Sequence, residues 1–228
     1  MSLEAKKLLA AALRSDDWPH SLEPLLGDVS RGTVGQAVGA LCDPDPRVRW
    51  RAVEAVGALV CKLGKRDPEA AKDALRRLMW SINEESGSIG WGAPEAMAEV
   101  MARDRSLAQD FLPLYLSNVT GGSLGRMLPR IREGFLWGIL RLWDAHAEEL
   151  RRHRLGAEIL PMLSSESGAT RALAAALLGR LGVEESASRL AELARDRTEF
   201  DVLEQGEVVS KSVAEAAREA LSLLKGRS

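Results

Sequence analysis

The stretch that decides the fold is residues 48–56, which read VRWRAVEAV. At 89–97 the chain reads IGWGAPEAM, so that the Trp, both Ala and the Glu of the first stretch recur without a gap at a shift of 41. Weaker copies follow at shifts of 83, 122 and 165. The chain therefore repeats itself about every 40 residues, a period typical of stacked helical units.

Each period predicts two helices, because its apolar residues recur at helical spacing on either side of a polar break. The breaks read DPDP at 43–46, EESG at 84–87 and SSESG at 164–168, and such residues supply N-caps and turns. First helices are predicted at 33–41, 68–82, 107–116, 147–163 and 186–194. Second helices are predicted at 47–62, 89–102, 124–143, 169–181 and 207–224. Another helix at 3–14 leads the chain.

No strand is predicted. Residues 202–209 alternate weakly between apolar and polar, as a strand does, but Gln205 and Gly206 favour a loop there.

Residues 40–49, ALCDPDPRVR, followed by Ala52, Ala55 and Gly57, resemble the HEAT-like repeat first named in phycobilisome lyases. The resemblance covers about 30–225 and implies an all-α, right-handed armadillo-like superhelix, or solenoid, of about five helix pairs. Small residues at positions 52 and 55 are expected to let helices approach closely. We expect one domain over 1–228, with an N-terminal cap at 1–28 and repeats at 29–64, 65–105, 106–143, 144–183 and 184–225.

Composition narrows the class of protein further. The 228 residues carry a net charge of −2, which argues against a dedicated duplex-binding protein, since phosphate contacts demand basic excess. Two cysteines are too few for a disulfide framework and fit a reducing compartment. No apolar run approaches the length of a membrane helix. We therefore expect a cytoplasmic protein with no membrane partner. The resemblance to HEAT-like repeats implies a protein of bacterial type, and we expect no cofactor.

The largest departure from the repeat is at 79–95, MWSINEESGSIGWGAPE. Gly90 and Gly92 fall where a helix is due, and each costs about 1 kcal/mol there relative to Ala. Two interpretations stay open. The segment is either a modified turn with a tryptophan in the core, or a binding patch made by Trp80, Asn83, Glu84, Glu85 and Trp91.

Tryptophans and arginines recur in the second helices. Trp50, Trp91 and Trp137 either pack in the core or form an aromatic stripe for a partner. Two groups of arginines, at 47–51 and 126–132, either face one partner or pair with acids of the next repeat.

The sequence shows no catalytic motif. Three histidines lack metal-ligand spacing, and no phosphate loop, nucleophile elbow or zinc motif occurs. HEAT-like deoxyhypusine hydroxylases use His-Glu pairs, and this chain has no His-Glu dipeptide.

We therefore predict a non-catalytic scaffold that binds another protein through its concave face, without a metal. The predicted contact residues are Arg49, Arg51, Trp80, Asn83, Glu84, Glu85, Trp91 and Arg132. The alternative is a DNA-binding enzyme similar to HEAT-like alkylpurine DNA glycosylases, which would use Trp50, Trp91, Trp137 and Asp144 with the two arginine groups. Nucleic acid is thus a disfavoured partner that the sequence leaves open.

Overall fold

The computed structural model describes residues 3–82, 91–204 and 207–226. Within these ranges the chain forms thirteen α-helices and one two-stranded sheet, which confirms the all-α fold class. The α-helices are α1 (Leu3–Arg14), α2 (Glu23–Gly27), α3 (Arg31–Ala40), α4 (Pro46–Gly64), α5 (Pro68–Ile82), α6 (Ala93–Arg103), α7 (Arg105–Ser117), α8 (Ser123–Arg126), α9 (Pro129–Arg152), α10 (Leu155–Ile159), α11 (Gly168–Leu181), α12 (Ala187–Leu193) and α13 (Val213–Lys225). Short 3₁₀ helices lie at His20–Leu22, Leu160–Ser164 and Glu184–Ser186. The strands are β1 (Glu199–Glu204) and β2 (Glu207–Ser212).

The chain divides into two compact units. One comprises Met1–Pro113 with Gln205–Val208, and the other comprises Leu114–Glu204 with Val209–Ser228. In the first unit α4 packs against α3, α5 and α6, and in the second α11 packs against α9 and α13. The core of each unit therefore forms around a second helix of the predicted repeats, with its partner and its neighbours on either side.

Helices α4 and α11 begin at the predicted polar breaks, whereas the break at 84–87 lies outside the described residues. The side chain of Asp45 accepts a hydrogen bond from the backbone N–H of Arg47 at the start of α4. Ser167 does the same for the N–H of Thr170 in α11. Ser212 and Glu215 form a reciprocal capping box at α13. Because these side chains satisfy N–H groups that have no partner within the helix, they fix where the three helices begin, at the predicted break for α4 and α11 and later than predicted for α13.

Second helices of adjacent repeats meet at very close range. Ala52 and Ala55 are fully buried, which confirms the prediction from their size. A Cβ atom at Gly179 of α11 would lie 2.6 Å from the Cα atom of Ala220 in α13. At Gly57 of α4 it would lie 2.5 Å from Cγ of Glu99 in α6. The equivalent glycines thus allow α4 to approach α6, and α11 to approach α13, closely.

The fifth repeat departs from the prediction. The expected second helix at 207–224 begins only at Val213, and β1 and β2 form a two-stranded sheet in front of it. The prediction of a loop and no strand was therefore wrong at 199–204 and 207–212. Burial of Val202 and Leu203 in a chain otherwise held by helices favours strand pairing over a loop with unsatisfied backbone groups.

The fourth repeat also differs in detail. The predicted first helix at 147–163 is divided among the end of α9, α10 and a 3₁₀ segment. Helix α9 contains a non-helical residue, His146 (φ −137°, ψ 26°), beside the predicted start of that helix. A second break follows at Arg154, whose backbone is left-handed (φ 50°, ψ 38°). The helix pattern in the sequence therefore did not indicate that the segment 147–163 is interrupted.

Candidate functional site

The last two turns of α5 expose an arginine and a tryptophan. The helix buries a stripe of small and aliphatic residues, which are Ala70, Ala71, Ala74, Leu75 and Leu78. Arg77 and Trp80 lie on the opposite face, three residues apart and therefore side by side. Trp80 is 71% exposed, the largest exposed fraction among the large apolar side chains that the structure describes. Sequence analysis identified Trp80 but missed Arg77, which its helical spacing from Trp80 would have revealed.

Trp91 stands directly before α6 and is 38% exposed. Trp50, which occupies the equivalent position in the preceding repeat, is only 6% exposed. The difference arises because α6 begins at Ala93, so Trp91 lies outside the helix. Its neighbour Gly92 is left-handed (φ 73°) and lies against Leu41. The interpretation that places Trp91 in the core is therefore wrong, and the interpretation of a surface residue is favoured.

Three predicted contact residues, Asn83, Glu84 and Glu85, lie outside the residues that the structure describes. Trp80 and Trp91 flank this segment in the chain. We give the name tryptophan surface to the three exposed side chains of Arg77, Trp80 and Trp91.

The arginines predicted to face a partner contact the protein's own backbone. Arg51 was expected at the surface, but it is 4% exposed and its Nη1 donates to the carbonyls of Leu13 (3.1 Å) and Ser15 (2.6 Å). Its guanidinium also lies 5.7 Å from the ring centre of Trp18. Arg49 is half-buried and donates from Nη1 to the carbonyl of Asp43 at 3.0 Å.

Arg132 is used in a similar way in the second unit. Its Nε donates to the carbonyl of Leu124 and its Nη2 to that of Met127, both at 2.9 Å. Arg49 and Arg132 therefore hold the loops in front of α4 and α9, and Arg51 holds the end of α1. These hydrogen bonds go to backbone carbonyls rather than to acids of the next repeat.

The aromatic stripe does not form an exposed face. Trp50 and Trp137 are both 6% exposed, and the indole N–H of Trp137 donates to the carbonyl of Leu203 at 3.4 Å. Asp144, the carboxylate named for the DNA enzyme, is largely exposed and lies 3.5 Å from Arg180. Of the stripe, only Trp91 is available to a partner.

A cavity of about 510 Å³ opens in the second unit, at the left-handed turn before α10. Arg151, Arg154 and Glu185 line it together with the apolar side chains of Leu155, Ala157, Leu160, Leu181 and Val183. Sequence analysis did not find it, because its residues come from 151–160 and 181–185, which only the fold brings together.

In the described part of the chain, no group of three or more His, Cys, Asp and Glu residues is arranged to hold a metal ion. Within residues 3–82, 91–204 and 207–226, none of the helices has both the length and the apolarity that crossing a bilayer requires.

Comparison with solved structures bears on the fold. The structure is similar to a designed armadillo repeat protein, with a TM-score of 0.58, 17% identity, and coverage of 96% of this chain and 91% of that chain. It is also similar to a computationally designed armadillo repeat protein for modular peptide recognition (TM-score 0.53, 15% identity, coverage 96% and 91%). A third is a designed armadillo repeat protein in complex with the peptide (KR)4 (0.52, 16%, 97% and 99%).

The chain has an armadillo/HEAT-like helical repeat fold. At these identities the likeness concerns the fold alone, since one fold supports many functions. No protein-family model matches the chain, and neither does any curated protein.

Proposed function

We propose that this protein is a non-catalytic scaffold that binds a segment of another protein through the tryptophan surface. The observation that carries the proposal is the 71% exposure of Trp80 beside Arg77 on the outer face of α5. Asn83, Glu84 and Glu85 are proposed as additional contacts, since they follow Trp80 directly in the chain. The proposal does not depend on Arg49, Arg51 or Arg132.

Exposing a tryptophan is unfavourable unless something covers it. Trp offers about 150–250 Å² of contact area, and its burial against a partner contributes roughly 25 cal/mol for each Å² removed from water. Trp and Arg are also the residues most enriched among those that dominate binding energy at interfaces. Arg77 next to Trp80 therefore supplies two such side chains on one helical face.

The repeat fold supports the same proposal. Stacked helical repeats present extended surfaces to which peptides and proteins bind. One designed armadillo neighbour was solved with the basic peptide (KR)4.

We further propose that the repeats are of the phycobilisome-lyase type in a bacterial, cytoplasmic protein. The ALCDPDPRVR motif and the free thiols of Cys42 and Cys61 support this.

The DNA-enzyme alternative has less support. It requires exposed arginines and a carboxylate between tryptophan side chains, whereas Arg51 is buried and Arg49 and Arg132 donate to carbonyls. Trp50 and Trp137 are buried as well. These arginines and tryptophans therefore contact other parts of the protein and are not exposed to a base.

The test is selection of peptides from a random library on the purified protein, followed by titration of the selected peptides against variants. Trp80→Ala should weaken binding about thirtyfold or more, as for a residue that dominates an interface. The matched control is Leu8→Ala, which removes another exposed apolar side chain of the first unit. It should leave the affinity unchanged.

Two results would contradict the proposal. One is a set of selected peptides that bind equally to the Trp80→Ala and Leu8→Ala variants. The other is failure to select peptides, combined with tight binding of duplex DNA that weakens steeply between about 50 and 200 mM salt. The second result would favour the DNA enzyme.

A further inference from the structure

The cavity in the second unit combines an apolar lining with cationic groups. Leu155 and Leu160 form one side and Leu181 and Val183 the other, and the volume of about 510 Å³ falls within the range of ligand sites. A Cβ atom at Gly156 would lie 2.6 Å from Cγ2 of Val183. The glycine therefore allows the two sides to approach each other closely.

Two arginines line this cavity without a carboxylate partner among the described residues. The guanidinium of Arg151 lies 5.1 Å from the ring centre of Trp143, which orients it by a cation–π contact. Arg154 forms no hydrogen bond or ion pair through its side chain with any residue that the structure describes. Glu185 is the one acidic residue that lines the cavity. The lining therefore keeps a positive excess.

The neighbouring basic side chains, Arg152 and His153, both lie near a carboxylate. Arg152 lies 3.9 Å from a carboxylate oxygen of Glu149, and His153 lies 3.8 Å from the other oxygen of the same side chain. Within the segment 151–154 the paired groups thus face Glu149, while Arg151 and Arg154 line the cavity.

The backbone of Arg154 is left-handed, which is unfavourable for an arginine. Such a conformation is strained for a residue with a Cβ atom and tends to persist where the side chain serves a function. A glycine would adopt φ 50° without strain, so the fold itself does not require arginine at this position.

We propose that this cavity is a second contact site for the protein partner and binds a peptide segment with an aliphatic side chain beside an aspartate or glutamate. The aliphatic side chain packs against Leu160, Leu181 and Val183, and the carboxylate pairs with Arg151 and Arg154. Charge complementarity favours an acidic segment over a basic one, because two guanidiniums face a single carboxylate. This inference rests on the proposed scaffold function and adds the chemistry of the partner.

The test uses three fluorescein-labelled peptides of the same length. The first has two leucines flanked by glutamates, the second has glutamines in place of the glutamates, and the third has serines in place of the leucines. Fluorescence anisotropy should show the tightest binding for the first peptide. The second and third peptides should each bind about tenfold more weakly or worse, because one lacks the charged hydrogen bonds and the other lacks the buried side chains.

Two protein variants separate charge from volume. Arg154→Gly removes the guanidinium and relieves the left-handed strain, so it should fold at least as stably and bind the first peptide about tenfold more weakly. Ala157→Trp adds bulk to an exposed residue of the cavity wall and should block the peptide. The matched control, Arg152→Ala, removes a neighbouring arginine outside the cavity and should leave binding unchanged.

The results distinguish this inference from the scaffold proposal. If peptides selected on the protein respond to Trp80→Ala but not to Arg154→Gly or Ala157→Trp, the scaffold proposal stands and the cavity proposal is wrong. Equal binding of the glutamate and glutamine peptides would overturn the assigned charge. Binding of dodecanoate in place of the acidic peptide, blocked by Ala157→Trp, would overturn the protein partner in favour of a lipid-like acid.

Discussion

Arg49 and Arg171 make the same contact in two different repeats. Nη1 of Arg49 donates to the carbonyls of Asp43 (3.0 Å) and Pro44 (3.2 Å), six and five residues earlier. Nη1 of Arg171 donates to the carbonyls of Ser165 (2.8 Å) and Glu166 (2.9 Å), again six and five residues earlier. The repeated arginine is therefore a clamp that ties the polar break to the helix that follows it.

Loss of the clamp should destabilise the fold. Arg171→Ala removes these bonds and the pair with Asp196 at 2.6 Å, so we expect the free energy of unfolding to fall by about 3 kcal/mol. Arg49→Ala removes the two hydrogen bonds to carbonyls and should cost about 1–2 kcal/mol. Urea unfolding followed by circular dichroism measures both. Arg195→Ala, at an exposed arginine one residue before Asp196, should stay within about 0.5 kcal/mol of the unmodified protein.

The space around each glycine predicts how a glycine-to-alanine change affects stability. Gly179→Ala places a methyl group against the backbone of Ala220, and we expect a loss of about 2 kcal/mol from overpacking. Gly57→Ala meets side-chain atoms of Glu99 and Arg103, which move more easily, so its cost should be smaller. Gly35→Ala in α3 meets open space and should stabilise the helix by up to about 1 kcal/mol. Thermal unfolding of the three variants checks the order, and a destabilised Gly35→Ala variant would contradict it.

The three tryptophans of the first two repeats should differ in their contribution to stability. Trp50→Ala removes a buried ring and should cost about 3–5 kcal/mol. Trp91→Ala removes a partly exposed ring and should cost about 1–2 kcal/mol. Trp80→Ala should change the free energy of unfolding by no more than about 0.5 kcal/mol. A large loss for Trp80→Ala in a denaturant titration would show that this side chain is covered in the folded protein.

Acid should destabilise the protein by protonating carboxylates that accept hydrogen bonds in the folded state. Hydrogen bonds from the N–H and hydroxyl of Ser212 lower the pKa of Glu215 below 4.5. Burial raises the pKa of Asp196, but bonds from Thr198 and Arg171 outweigh it and leave this pKa below 3.8. Because the folded values are below the unfolded ones, their contribution is present above about pH 4.5 and is lost as the pH falls through the folded pKa values.

Asp196→Asn separates this contribution from the general effect of acid. Its free energy of unfolding, measured from pH 6 to pH 2.5, should fall less steeply than that of the unmodified protein. Asp201→Asn, at an exposed aspartate of β1 with no described side-chain contact, should follow the unmodified curve. Parallel curves for the Asp196→Asn and unmodified proteins would mean that Asp196 does not contribute.

The two thiols should react at different rates. Cys42 is exposed, whereas burial raises the pKa of the Cys61 thiol to about 12, and its Sγ lies 3.6 Å from the carbonyl of Val100. At pH 8 a disulfide reagent should therefore modify one thiol rapidly and the second only as the protein unfolds. The Cys42→Ser variant should lose the rapid phase alone. Rapid labelling of that variant would show that α4 and α6 separate readily around Cys61.

Much of the helical framework could be predicted because each repeat carries its own local signals. Helices α1 and α5 begin and end at the predicted residues, since apolar periodicity and capping act over a few neighbours in the chain. The sheet could not be predicted in the same way. A strand depends on a partner strand, and the weak alternation at 202–209 did not outweigh the loop signal of Gln205 and Gly206.

The candidate site, too, could be predicted only in part from the sequence. The glycine-rich departure from the repeat identified Trp80 and Trp91, because a broken period is visible in the chain alone. Whether a tryptophan is covered depends on what packs over it, so the burial of Trp50 and the exposure of Trp91 required the tertiary structure. The same holds for Arg51, whose backbone partners are 36 and 38 residues away in the chain.

By itself, the sequence determined that the chain folds into repeated helix pairs and where most of those helices begin, because periodicity and capping are local properties. Only the tertiary structure decided that the repeated arginines are clamps, that Trp80 and Trp91 face outward, and that Arg151 and Arg154 line a cavity with Leu181 and Val183. These features depend on which residues meet after folding, and a helical pattern specifies the face of a helix but not what covers it.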